Sequence, residues 1–87
     1  MLTEQFSSKE TSDEAFETRD FYLACFLKCR GYELIGLRAE ERRRIFVFRD
    51  RRARGDDVLG FYGDAISVRP RSFAAAIKNM KGLLYNV

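Results

Sequence analysis

The fold is decided by the stretch Arg42-Arg43-Arg44-Ile45-Phe46-Val47-Phe48-Arg49-Asp50-Arg51-Arg52-Ala53-Arg54. Its centre, residues 45–48, is a continuous run of β-branched and aromatic side chains, which is typical of a strand buried on both faces. Basic residues stand at both ends of this run, so the strand is expected to reach the surface at each end. The pattern predicts a central strand whose two ends face something anionic.

The residues around this strand predict the rest of a small sheet. Apolar side chains alternate along residues 32–39, which indicates an antiparallel partner strand. The connection at residues 40–42 has no Asn-Gly or Asp-Gly pair, so the sequence does not settle the register. A short β-branched run at residues 65–68 precedes Pro70 and predicts a third strand at the edge of the sheet.

The first predicted helix, about residues 19–30, is unusually apolar. Thr18 is a suitable N-cap and Gly31 is a suitable residue to end the helix. Its apolar side chains cover more than half of its circumference and leave a solvent stripe of Asp20, Ala24 and Lys28. So wide an apolar surface must be covered, either by the same domain or by a second copy of the chain. The width of this surface leads us to expect a homo-oligomer.

Two further helices are predicted after the central strand. The second begins at Asp50 or at Asp56 and is closed by Gly63. Its predicted buried side consists of Val58, Leu59 and Tyr62. The third begins at Pro70, and its apolar stripe consists of Phe73, Ala76, Ile77, Met80, Leu84 and Val87. Together the elements predict a small single α+β domain in the order α-β-β-α-(β)-α, a short antiparallel sheet with helices packed on one face.

Charge divides the 87 residues into an acidic arm and a basic body. Residues 1–17 carry one basic and five acidic side chains, whereas residues 18–87 carry 15 basic and eight acidic ones. We therefore predict an N-terminal arm over residues 1–17 and a single domain over residues 18–87. The basic body fits an anionic partner, or the arm itself folding back over the basic face. The alternative is that the charge serves solubility alone.

Residue types that are absent or rare narrow the chemistry. The chain has no histidine, the commonest general base and zinc ligand. Cys25 and Cys29 are expected to be reduced core residues, since no other cysteine completes a metal site. No nucleophile–base pair and no phosphate-binding glycine loop is evident, so we expect no enzyme, cofactor, metal or small-molecule substrate. No apolar run reaches the ~20 residues of a membrane span, and we expect a cytoplasmic protein.

Six short segments occur in an order that carries a resemblance. They are residues 18–24, 28–36, 46–48 with Asp50, 61–63, 68–73 and 83–86. In this order the chain, over roughly residues 16–87, resembles a family of small bacterial and phage domains of unknown function. It departs from that family at the hairpin turn, where a glycine is expected and Glu40-Glu41-Arg42 stands. The resemblance implies a fold and no activity, so it carries over no catalytic residue.

Two surfaces are candidate binding sites. The first is a cluster of arginines, whose planar guanidinium groups suit phosphate: Arg42, Arg43, Arg44, Arg51, Arg52 and Arg54. The alternative is a solvated hairpin whose arginines pair with nearby acids. The second is the strand face of Arg44, Phe46 and Phe48, whose rings either stack unpaired bases or fill the core. The sequence thus favours a non-enzymatic, homo-oligomeric interaction module that contacts nucleic acid through its arginine-rich hairpin. The alternative is a protein-binding accessory domain with no nucleic-acid role.

Overall fold

The computed structural model describes residues 14–85, which form three strands and three helices. In chain order these are β1 (Ala15–Thr18), α1 (Phe21–Cys29), β2 (Leu34–Glu40), β3 (Arg43–Arg49), α2 (Arg54–Tyr62) and α3 (Pro70–Tyr85). All strand pairs are antiparallel, so the predicted small α+β class is confirmed.

The sheet has the order β1-β3-β2, with the predicted central strand β3 in the middle. Phe46 lies opposite Thr18 on one side and Leu37 on the other, and Phe48 lies opposite Phe16 and Leu34. Directly paired residues share a face of the sheet, so these side chains form one apolar face. The two buried phenylalanines of β3 meet α1 and α3 in the hydrophobic core. They are core residues, and neither ring is available to stack a base.

The third strand is not where the sequence predicts it. Residues 65–68 form no strand; instead Ile66 and Val68 pack their side chains against the core between α2 and α3. The edge strand is β1, which overlaps the predicted arm at residues 15–17. Four residues with one large apolar side chain carry no strand pattern of their own, and β1 exists because β3 offers it a pairing edge. Residues 1–13 of the predicted arm lie outside the described residues.

The β2–β3 turn fixes the register that the sequence leaves open. Glu40 pairs with Arg43, so Glu41 and Arg42 alone make the turn. Glu41 has a φ of 58°, the left-handed conformation that favours glycine. The chain therefore makes the expected hairpin turn with a glutamate at the position where the resemblance leads one to expect a glycine.

Helix α1 begins at Phe21, two residues later than predicted. Asp20, rather than Thr18, is the N-cap: its carboxylate accepts hydrogen bonds from the backbone N–H groups of Tyr22 and Leu23, both at 3.1 Å. The Thr18 hydroxyl accepts one from the Asp20 N–H at 3.1 Å. Gly31 follows the helix with a φ of 89°, as its predicted role requires.

The domain itself covers α1. Every side chain from residue 23 to residue 27 is buried, including Ala24, which the sequence places in a solvent stripe. Helices α2 and α3, the core face of the sheet and β1 surround α1. The wide apolar surface of α1 is thus no longer a reason to expect a second copy of the chain, and the homo-oligomer remains a prediction.

Of the three residues predicted to be buried in helix α2, only Val58 packs against the core, where it is partly buried. Asp57 and Gly60 are its buried residues, whereas Leu59 is 73% and Tyr62 is 60% exposed. Its first residue is Arg54, and no side chain caps it. Aspartate and glycine give no hydrophobic signal, so the apolar pattern of the sequence selected the wrong face.

Helix α3 packs antiparallel to α1. Its predicted apolar stripe is confirmed from Phe73 to Leu84, while Val87 lies outside the described residues. Leu84, near the end of α3, lines the same surface cavity as Phe21 at the start of α1 and Arg43 at the start of β3. The end of α3 therefore lies at the same end of the molecule as the hairpin turn.

Candidate functional site

Three adjacent arginines form the tip of the β2–β3 hairpin. Arg42 lies in the turn, and Arg43 and Arg44 begin β3. All three are exposed, and none forms an ion pair or a side-chain hydrogen bond with another residue between 14 and 85. Glu40, the cross-strand neighbour of Arg43, is bound by Arg19 at 2.7 Å. We call these residues, Arg42, Arg43 and Arg44, the tip arginines.

The other three predicted arginines lie at the opposite end of β3. Residues 45–50 separate the two groups, a distance of about 20 Å along the strand at ~3.3 Å per residue. Arg51 donates to the carbonyls of Arg30 and Gly31, and its guanidinium lies 4.2 Å from the centre of the Tyr32 ring. The six arginines therefore do not form one binding edge.

Arg54 and Arg52 complete this second group. Arg54 pairs with Asp50 at 3.1 Å and lies 4.6 Å from the centre of the Phe16 ring. Arg52 is exposed in the turn before α2. Arg51 and Arg54 therefore fasten the loop after β3 to the core, and the expectation that they contact a ligand has no support in their geometry.

Two of the tip arginines, Arg43 and Arg44, border an open groove of about 390 Å³. Its lining residues come from three elements and one loop: Arg19, Phe21, Arg43, Arg44, Phe46 and Leu84. Phe21 and Phe46 form the floor, with ring centres 6.1 Å apart. We call this feature the arginine groove. Sequence reasoning found Arg43 and Arg44 but not Arg19, Phe21 or Leu84, because no local pattern links residues so far apart in the chain.

Two other arginines of the sheet, Arg38 and Arg49, are paired with acids. Arg38 bonds to Glu17 across β3, and Arg49 bonds to Glu33 at 3.0 Å. The Arg19 guanidinium lowers the pKa of the Glu40 carboxyl through a hydrogen bond and its charge. These exposed pairs each contribute little stability, but they neutralise the arginines that form them. The tip arginines differ from Arg38 and Arg49 in forming no ion pair with a described residue, although the charge of Arg43 also helps to lower the pKa of the Glu40 carboxyl.

A buried polar cluster joins α1, α2 and the loop that follows α1. The Tyr32 hydroxyl donates to Asp57 Oδ2 at 2.6 Å, and Arg30 donates to Asp57 Oδ1 at 3.3 Å. Burial and the hydrogen bond to Asp57 raise the pKa of the Tyr32 hydroxyl well above its usual value. Tyr32 is 2% and Asp57 6% exposed, so the cluster is closed to a substrate and serves to hold the two helices together.

The remaining candidates are the two cysteines, a metal site and a membrane-spanning helix. Cys25 is buried and Cys29 is half-buried, and both are free thiols. Burial, with smaller effects from Cys29 and Asp20, raises the pKa of the Cys25 thiol to about 11, which suppresses its reactivity. Between residues 14 and 85 no cluster of cysteine, aspartate and glutamate is placed to bind a metal. Within that range no helix has the length and apolar character needed to cross a bilayer.

Fold and site together define a small α+β domain with an arginine-tipped hairpin. A family model described as a domain of unknown function, DUF5659, matches residues 13–86. The chain belongs to this family, as the resemblance in the sequence indicated. No curated protein and no solved structure matches the chain. The tip arginines and the arginine groove are therefore the features that bear on function.

Proposed function

We propose that this chain is a small non-enzymatic module of the cytoplasm that contacts nucleic acid through the tip arginines. The observation that carries the proposal is that Arg42, Arg43 and Arg44 are exposed together at one end of the molecule and form no ion pair with a described residue. Three guanidinium groups on one rigid hairpin offer planar donors to a row of phosphates. The two free cysteines fit a reducing compartment.

The charge of the folded part supports the same proposal. Residues 14–85 carry 15 basic and 10 acidic side chains, a formal net charge of +5. Helix α3 contributes to this excess, since it holds three basic residues and no acidic one. A basic surface of this kind attracts polyanions over a distance set by the ionic strength. The contacts would be made to phosphates and would carry little sequence preference.

Salt-dependent binding of duplex DNA tests the proposal. The test variant replaces Arg42, Arg43 and Arg44 with glutamine. The matched control replaces three exposed arginines at the other end of the molecule, Arg52, Arg69 and Arg71, with glutamine and so changes the net charge equally. Each lost phosphate contact flattens the log–log salt dependence by ~0.9, so the test variant should lose about 2–3 units of slope and the control much less.

Two results would overturn the proposal. If the unaltered protein binds no DNA at low salt, the chain has no nucleic-acid role. If the two triple variants lose equal slope, the attraction is a property of the net charge and the tip arginines form no site.

A second candidate function, docking to another protein, is favoured by the outer face of α2. Leu59 and Tyr62 are largely exposed there, although the sequence pattern marks both as buried residues. The partner we favour is a second copy of the chain, in keeping with the predicted homo-oligomer. Light scattering at ~100 μM, far above the micromolar range of ordinary weak dimers, tests it. A dimer that Leu59→Lys dissociates would support this function, whereas a monomeric mass would rule it out.

A further inference from the structure

We propose that the arginine groove holds an unpaired nucleotide, so that the chain prefers single-stranded nucleic acid to duplex. This inference rests on the proposed function and adds to it the strand state of the ligand. The floor and the rim of the arginine groove differ in chemistry. The floor consists of side chains without charge, Phe21, Phe46 and Leu84, and the rim consists of guanidinium groups.

The floor offers an aromatic surface that phosphate contacts alone do not need. Phe46 is 2% exposed, so the accessible ring is that of Phe21, which is only half-buried. Leu84 lines the groove with it. Bases stack on aromatic rings without regard to sequence, because every base has a flat apolar face. In a duplex those faces are covered by the neighbouring base pairs, and only an unpaired base can present one.

The rim places positive charge around that surface on two sides. Arg43 and Arg44 come from the start of β3, and Arg19 comes from the connection between β1 and α1. Arg19 also binds Glu40, but this pair is half-exposed and an anion can compete for it at small cost. A base on the floor would have its flanking phosphates next to these guanidinium groups. The apolar floor therefore complements the base of a nucleotide, and the positive rim complements its phosphates.

The size of the groove agrees with such an occupant. Its volume of about 390 Å³ lies at the lower end of the range for pockets that hold small organic molecules, ~300–1,000 Å³. Tyr22 stands beside the groove, 55% exposed, with its ring edge-on to Phe21 at 5.4 Å between centres. An exposed aromatic ring next to the floor offers a surface for the neighbouring base of the same strand.

The experiment compares a 12-nucleotide oligothymidine with a 12-base-pair duplex at one ionic strength. We expect the unaltered protein to bind the single strand at least about fivefold more tightly, the equivalent of one stacked base. Phe21→Leu, which keeps an apolar side chain but removes the flat ring, should abolish this preference by lowering the affinity for the single strand. Leu59→Ala, an exposed change on the far side of α2, is the control and should preserve the preference.

A second measurement uses the unaltered protein and so does not depend on how a variant folds. Ultraviolet crosslinking of the oligothymidine, followed by trypsin digestion, should label the peptide of residues 20–28, which contains Phe21 and Tyr22. Crosslinks confined to other peptides would overturn the inference. Equal affinity for single strand and duplex would overturn it as well, while leaving the proposed function intact. Failure to bind either ligand would end both.

Discussion

Replacing Tyr32 with phenylalanine removes one hydroxyl from the buried polar cluster and leaves the ring in place. That hydroxyl donates to Asp57 at 2.6 Å, while the ring packs near Phe48 and under the Arg51 guanidinium. Because the new side chain keeps those ring contacts, the change isolates the hydrogen bond. A hydrogen bond to a charged group contributes ~1.5–3 kcal/mol, and among residues 14–85 Asp57 would keep only Arg30 as a side-chain partner. We expect a loss of about 2 kcal/mol in the free energy of unfolding at pH 7.

Urea unfolding followed by circular dichroism measures this loss. With a slope of ~1–2 kcal/mol/M for a small domain, the midpoint should fall by about 1–2 M. Tyr62→Phe is the matched control: it removes a hydroxyl that donates to Asp20 at 2.7 Å, but Tyr62 is 60% exposed. Water replaces that exposed bond, so the control should lose less than about 0.5 kcal/mol. Equal losses in the two variants would refute the reasoning, which attributes the difference to burial.

Two further predictions concern α2 and the core thiol. Gly60→Ala should destabilise the fold by about 1–3 kcal/mol, because an added Cβ would overlap the Ile66 side chain. In the Gly55→Ala variant of the same helix the added Cβ meets open space, so this change should stabilise the fold by about 0.5–1 kcal/mol. Thermal unfolding compares the two variants. A change in stability of the same sign in both would contradict the packing argument. Burial raises the pKa of the Cys25 thiol from 9.0 to about 11, so the unfolded chain releases this proton first and stability falls as pH rises through that window. The loss in the free energy of unfolding should reach about 1 kcal/mol by pH 10. The Cys25→Ala variant should be less stable at pH 7, but urea titrations at rising pH should show that it lacks this part of the decline. An unchanged decline in the variant would show that another group is responsible.

The central strand and the last helix are local properties of the sequence. Residues 45–48 form a run that suits only a buried strand, and the apolar stripe of α3 repeats with the helical period over four turns. Such patterns need no knowledge of the partner, because the period of the side chains already selects the backbone conformation. The α+β class followed from these elements, and so did the exposed position of Arg42, Arg43 and Arg44 beside the turn.

Only the tertiary structure decided which segment supplies the third strand and which face of α2 is buried. The sequence predicts the third strand at residues 65–68, which are β-branched and apolar, and assigns residues 15–17 to the arm. Pairing with the free edge of β3 selected residues 15–18 instead, since backbone hydrogen bonds do not depend on hydrophobicity. In α2 the hydrogen bond from Tyr32 allows Asp57 to be buried, and a fit against Ile66 favours Gly60. Neither reason leaves a periodic signal.

The local sequence pattern also does not show that the six predicted arginines divide into two groups. Charge and spacing placed Arg42 and Arg51 in one cluster, because both lie at an end of the same strand. The folded chain gives Arg51 the carbonyls at the end of α1 and the ring of Tyr32, whereas Arg42 meets no such partner among residues 14–85. A guanidinium group is a ligand contact or a structural tie according to what the fold places within ~4 Å of it. The sequence determines where each arginine stands in the chain. The neighbours that decide the role of an arginine come from elements up to 65 residues apart in the chain, and only folding brings them together.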